Sequence, residues 1–125
     1  MPLLRRVAAE VTEAGGTDGT LAVLTTLGVQ PATADLTAVQ FSSAFCGPCR
    51  ATKARLQQLQ RTHPGFTAVQ VDAESHLDAV RALDVRVTPT LIWLDRRGDV
   101  VARTTGAPRP AELAALVDAR TGVRS

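Results

Sequence analysis

Apolar and polar positions change rhythm several times along this chain, and each change marks an element. Leu4, Val7, Ala8 and Val11 recur at i, i+3, i+4 and i+7, which predicts a helix over Leu3–Ala14 closed by Gly15-Gly16. A turn at Thr17-Asp18-Gly19-Thr20 follows. Leu21, Leu24 and Leu27 are spaced by three with Gly28 beyond them, which favours a short helix. The alternation of Leu21, Val23 and Thr25 would instead suit a strand. Leu36–Ser42 is β-like, and Cys49–Arg61 is helical. The inward face of that helix carries Thr52, Leu56 and Leu59, while Arg55, Gln58 and Arg61 fall to solvent. His63-Pro64-Gly65 ends it, because proline cannot continue a helix.

The second half alternates in the same way. Phe66–Asp72 is a strand with Val69 and Val71 on one face. Ser75-His76-Leu77-Asp78 reads as a capping box with Asp for the preferred Glu, opening a helix that buries Leu77, Val80 and Leu83. Leu91-Ile92-Trp93-Leu94 is a continuous apolar run, as in a strand covered on both faces, with the lone tryptophan in the core. Asp95–Asp99 is a hairpin turn and Val100–Thr105 the returning edge strand. Pro110–Arg120 is a last helix with Leu113, Leu116 and Val117 inward and Gly122 as its stop. The order predicts an α/β sheet flanked by helices.

Composition narrows the function. The chain has 125 residues, 45% of them apolar and 21% charged, which suits one globular domain. Fourteen basic against twelve acidic residues leave a net charge of +2, too little for a charge-driven nucleic-acid or membrane surface. No apolar run approaches a membrane span, and Arg5-Arg6 interrupts the place where a signal peptide needs its apolar stretch. A cytoplasmic protein is expected. Two cysteines are too few for a disulfide scaffold.

Both cysteines lie in Phe45-Cys46-Gly47-Pro48-Cys49-Arg50, where a strand hands over to a helix. The thiolate is the nucleophile in disulfide exchange, and an ordinary thiol, with a pKa of about 8.5, is only a few per cent ionised at neutral pH. A helix N-terminus favours an anion, but the macrodipole supplies only about 0.3–1 kcal/mol. Direct hydrogen bonds to the Cys46 sulfur must supply the rest. The C-x-x-C spacing lets Cys49 attack a mixed disulfide made by Cys46. Zinc needs four ligands, and His63 and His76 stand thirteen residues apart, outside metal-site spacing. Both histidines read as surface residues. No metal and no cofactor is expected.

Cys46-Gly47-Pro48-Cys49, with Thr88-Pro89-Thr90 forty residues on and then Gly106-Ala107, resembles the thioredoxin family over roughly residues 35–120. The resemblance implies a thioredoxin fold, a central mixed β-sheet flanked by helices, in a single domain with residues 1–34 as a partly helical N-terminal extension. It implies a thiol–disulfide oxidoreductase that reduces protein disulfides, serving redox homeostasis and electron transport. Cys46 would attack and Cys49 resolve, with Gly47 and Pro48 tuning the potential. Phe45, Thr88, a cis Pro89, Gly106 and Ala107 would receive the substrate. Partners implied are disulfide-containing proteins and a thioredoxin reductase-like electron donor, with the chain a monomer.

Departures from the family pattern are equally specific. The buried acid that family members carry six residues before the first cysteine is Gln40 here, and its lysine partner aligns with Gln70. Glutamine cannot take a proton, so water or Cys46 would accept the proton of Cys49. The tryptophans before the motif are Ser42 and Phe45, and the residue before the cis-proline is Thr88. Two other readings stand beside the reductase: a thioredoxin-like binding or redox-sensing module without efficient turnover, and a disulfide isomerase or oxidase.

Overall fold

Successive residues of Leu36–Ser42 (β1) face opposite sides, so a strand covered on both faces is mostly apolar, with Thr37 and Gln40 its buried polar residues. All but its last residue are indeed buried. The computed structural model describes residues 19–122. The helix expected over Leu3–Ala14 lies outside the described residues. Thr20–Thr26 forms the short helix α1, so spacing by three prevails over alternation there. Then come β1, the helix α2 (Gly47–Thr62), β2 (Phe66–Asp72), the helix α3 (Leu77–Ala82), β3 (Thr90–Asp95), β4 (Val100–Thr105) and the helix α4 (Pro110–Thr121).

The sheet is mixed, with four strands in the order β2-β1-β3-β4. β1 runs parallel to β2 and antiparallel to β3, and β3 pairs antiparallel with β4. Two apolar layers cover its faces. Val39, Phe41, Val71, Ile92 and Leu94 pack with Leu24 of α1 and with Leu83 and Val85 after α3. Leu36, Ala38, Phe66, Leu91 and Trp93 pack with Leu56 and Leu59 of α2 and Leu113 and Val117 of α4. Gly98, at φ +90° in the β3–β4 turn, lies so close to Leu21 that a Cβ there would meet its side chain at 2.6 Å. The positive φ is what calls for glycine, since the Leu21 methyls could move aside.

Three expectations are corrected. His63 is not a surface residue: it is 8% exposed. Its Nδ1 lies 3.0 Å from the Leu59 carbonyl, and its Nε2 lies 2.6 Å from Asp118 of α4. The buried partner comes from α4, so the local pattern could not show it. Ser75 does not cap α3. It ends a 3₁₀ turn and donates to Asp72 at 2.7 Å, and His76 stands at the N-cap without a side-chain capping bond, its Nδ1 lying instead 3.1 Å from the Asp72 carbonyl. Leu77 is 53% exposed because α3 spans only six residues and turns Ala79 inward instead.

Candidate functional site

Cys46 is the N-cap of α2, with extended backbone, and Gly47 and Pro48 are the first helical residues. Proline suits that turn because the N–H it lacks would have no partner there. Cys46 and Cys49 are joined in a disulfide with their Cα atoms 5.2 Å apart, within the usual span. The Cys49 N–H donates to Cys46 Sγ at 3.1 Å. A serine or aspartate oxygen does this at other helix starts. Sulfur in that place meets unpaired N–H groups and the positive end of the helix, so negative charge is favoured on it. Both cysteines are buried, Cys49 the deeper at 3% exposed against 8%.

In front of Cys46 stands the segment entering β3. The Thr88–Pro89 peptide is cis. Cys46 Sγ lies 3.6 Å from the Thr88 carbonyl oxygen. The Thr88 and Ser43 hydroxyls are 3.1 Å apart and share a hydrogen bond, which ties this segment to the loop leaving β1. Gly106, at φ +78°, donates its N–H to the Pro89 carbonyl at 2.8 Å. Cys46, Thr88, Pro89 and Gly106 are thus linked by contacts, with Pro89 buried beneath the partly exposed Thr88 and Gly106. Ala107 follows Gly106, exposed. Phe45 projects into solvent at 97% exposed, and Val87 is 51% exposed.

Behind Cys49 the sheet supplies amides. Gln40 and Gln70 are register partners on β1 and β2. Gln40 is fully buried. Its Nε2 donates to the Cys49 carbonyl at 3.0 Å, and its Oε1 accepts from Gln70 Nε2 at 3.0 Å. Each buried polar atom of Gln40 is therefore matched. The chain of amides is neutral, and its acceptor end points away from Cys49.

A notch of about 360 Å³ opens beside these groups. Ser42, Ser43, Cys49, Arg50, Lys53, Gln70 and Asp72 line it. The hydrogen bond from the Ser75 hydroxyl, then that from the Glu74 N–H, hold the Asp72 carboxyl below its ordinary range. Lys53 was not singled out by the sequence, although its position four residues after Cys49 puts it one turn along the same helix face. Ser43 was missed as well, because its partner Thr88 is 45 residues away.

Comparison with known proteins follows the same lines. The family model described as Thioredoxin matches residues 29–119. Thioredoxin H4-1 of Oryza sativa subsp. japonica is 35% identical over 81 residues, covering 62% of this chain and 61% of that protein. Thioredoxin-2 of Pyricularia oryzae is 33% identical over 81 residues, covering 65% of this chain and 46% of that one. The chain thus spans about half to three fifths of the length of these curated relatives. A mutant thioredoxin from Halobacterium salinarum superposes with a TM-score of 0.70 at 22% identity, covering 81% of this chain and 88% of that one. At that identity the likeness speaks for the fold alone.

Proposed function

The chain belongs to the thioredoxin family, and from that premise we propose that it is a thiol–disulfide oxidoreductase that reduces protein disulfides through a Cys46/Cys49 dithiol–disulfide cycle. The observation that carries this reading is the pair itself. Two cysteines are close enough to bond, and the first sits at a helix N-terminus accepting a backbone N–H at 3.1 Å.

In the proposed cycle the Cys46 thiolate attacks one sulfur of a substrate disulfide, and the other substrate sulfur leaves as a thiolate. Cys49 then loses its proton and attacks Cys46 Sγ. The Cys46–Cys49 bond forms, the bond from Cys46 to the substrate breaks, and the second substrate sulfur leaves with the electron pair. Two electrons pass from the dithiol to the substrate. Gly47 and Pro48 set the turn in which the ring closes. Thr88, Pro89, Gly106 and Ala107 receive the substrate chain, and Phe45 offers it an apolar contact. A reductase-like donor would restore the dithiol, and a reducing, cytoplasmic setting is the one that sustains this direction.

The deciding measurement is the equilibrium reduction potential of the pair in a thiol–disulfide buffer. A value near the thioredoxin figure of about −270 mV supports a reductant, and one above roughly −200 mV moves the protein to the isomerase or oxidase end. Cys46→Ser should abolish disulfide reduction, and Cys49→Ser should accumulate mixed disulfides with protein substrates. Wild-type activity in Cys46→Ser would sink the reading. The buried amide of Gln40 beside Cys49 favours one other reading, a binding or sensing module with slow turnover. Such a module would hold its partner equally well with both cysteines changed to serine.

A further inference from the structure

The reductase reading needs Cys49 to lose a proton while it is buried, and among the described residues no group beside it is an effective base. Gln40 is an amide whose Nε2 faces the Cys49 carbonyl and whose Oε1 is taken by Gln70. Among the described residues the one carboxylate lining the notch is Asp72, whose oxygens accept from the Glu74 N–H at 3.0 Å and the Ser75 hydroxyl at 2.7 Å. Those bonds stabilise its charged form, which makes it a poor proton acceptor. The remaining charged groups on the notch are Arg50 and Lys53, both exposed. Neither makes a hydrogen bond or ion pair with another side chain among the described residues. Lys53 stands at i+4 from Cys49, where helix neighbours have their Cβ atoms about 5–6 Å apart. Arg50, the next residue, is turned about 100° round the helix axis.

We propose that Lys53 is a positioning residue for the resolving step: its ammonium, across the notch from Cys49, stabilises the Cys49 thiolate, and water in the notch carries the proton away. The device differs from a buried base. A base takes the proton itself, whereas a cation lowers the cost of the charge left behind. The proton goes from Cys49 Sγ to notch water and then to solvent. The sulfur electron pair goes into the new Cys46–Cys49 bond. Ser42, a small residue at the notch wall, leaves room for that water. The groups facing Cys49 are neutral on the sheet side, Gln40 of β1 and Gln70 of β2, with Ser42 and Ser43 from the end of β1. Asp72 is the one opposing charge, at the end of β2. This inference rests on the exchange reading above.

The test separates the two. Reduced protein is mixed rapidly with a nitroaryl disulfide whose thiolate is coloured. The first release reports attack by Cys46 and the second reports resolution by Cys49. An opposite charge within about 4–6 Å lowers the pKa of an acidic group by about 1–3, and a solvent-exposed one acts at the low end, so in Lys53→Met the midpoint of the second phase should move up by about one on the pH scale. Below that midpoint its rate should fall about tenfold, with the first phase unchanged. Lys53→Arg should restore the second phase. Arg55→Met, which changes an exposed cation off the notch, should leave both phases alone. The difference between wild type and Lys53→Met should shrink at about 1 M salt, where the screening length falls to about 3 Å. An unmoved second phase in Lys53→Met, an equal change in both phases, or a difference that survives high salt overturns the role of Lys53 while exchange stands. No coloured release from the wild type overturns the exchange reading, and this inference with it.

Discussion

Gln40 is the residue at which this chain differs most in chemistry from the pattern it otherwise follows. A fully buried amide costs free energy unless each of its polar atoms is bonded, and here Gln70 and the Cys49 carbonyl supply the partners. Gln40→Glu keeps the shape and changes one atom. Burial raises the carboxyl of the variant, and so does a hydrogen bond from its protonated form to the Cys49 carbonyl. A carboxyl raised on folding binds more protons in the native state, so its contribution is kept in acid and lost as pH rises. The loss starts near the unfolded value of about 4.3 and grows by roughly 1.4 kcal/mol for each pH step above it, until the folded-state value is passed. Urea titrations between pH 4 and 8 should show the variant falling progressively below wild type. A gap that stays constant with pH would refute this. At this scale the sequence was informative about the site. The cysteine pair can be read from its spacing, and the two glutamines from the family resemblance that puts the buried acid and its lysine at these positions. Lys53 could have been found too, by stepping one helical turn from Cys49. Ser43 could not, because only the fold brings it to Thr88.

Helix α2 is held at both ends, by the disulfide turn at its start and by His63 at its close. Each ring nitrogen of His63 has a partner, the Leu59 carbonyl at 3.0 Å and Asp118 Oδ1 at 2.6 Å. His63→Ala removes the Asp118 bond that ties α2 to α4 and one bond at the Leu59 carbonyl, which keeps the Thr62 hydroxyl. The expected cost is about 1–3 kcal/mol, which for a domain near this size lowers Tm by at least about 4 °C. An unchanged melting temperature would show that the clasp contributes nothing. Rates of thiol exchange should be untouched, since the clasp lies at the far end of α2. The local signal at His63 was misleading: a histidine before Pro-Gly at a helix end resembles solvent-facing punctuation. Its partner lies 55 residues away. The same limit explains Leu77. Apolar spacing is a guide when a helix has turns enough to present a stripe, and the six residues of α3 do not. Where helices were long, as in α2 and α4, the periodicity named the buried residues correctly, with Leu56, Leu59, Leu113 and Val117 all inward.

For the whole molecule, the alternation of strand and helix was enough to expect a sheet covered on both faces, and the hairpin to pair β3 with β4, but the antiparallel place of β3 beside β1 in the order β2-β1-β3-β4 comes only from the fold. What alternation cannot give is how the layers share the load. Odd and even positions of β1 feed two separate apolar clusters, one under α1 and α3 and the other under α2 and α4. At the outer strand, Gln60 of α2 accepts the Ala68 N–H at 2.9 Å, a contact no periodicity announces. Trp93 lies in the second layer, fully buried, with its ring 6.0 Å from that of Phe66 and stacked at 20°. It is the chain's single indole, and the positions before the cysteine motif hold Ser42 and Phe45. Its fluorescence is therefore an optical gauge of folding. Emission should start at short wavelength, move to the red in one step with loss of the sheet in denaturant, and report the melting of every variant above without a label.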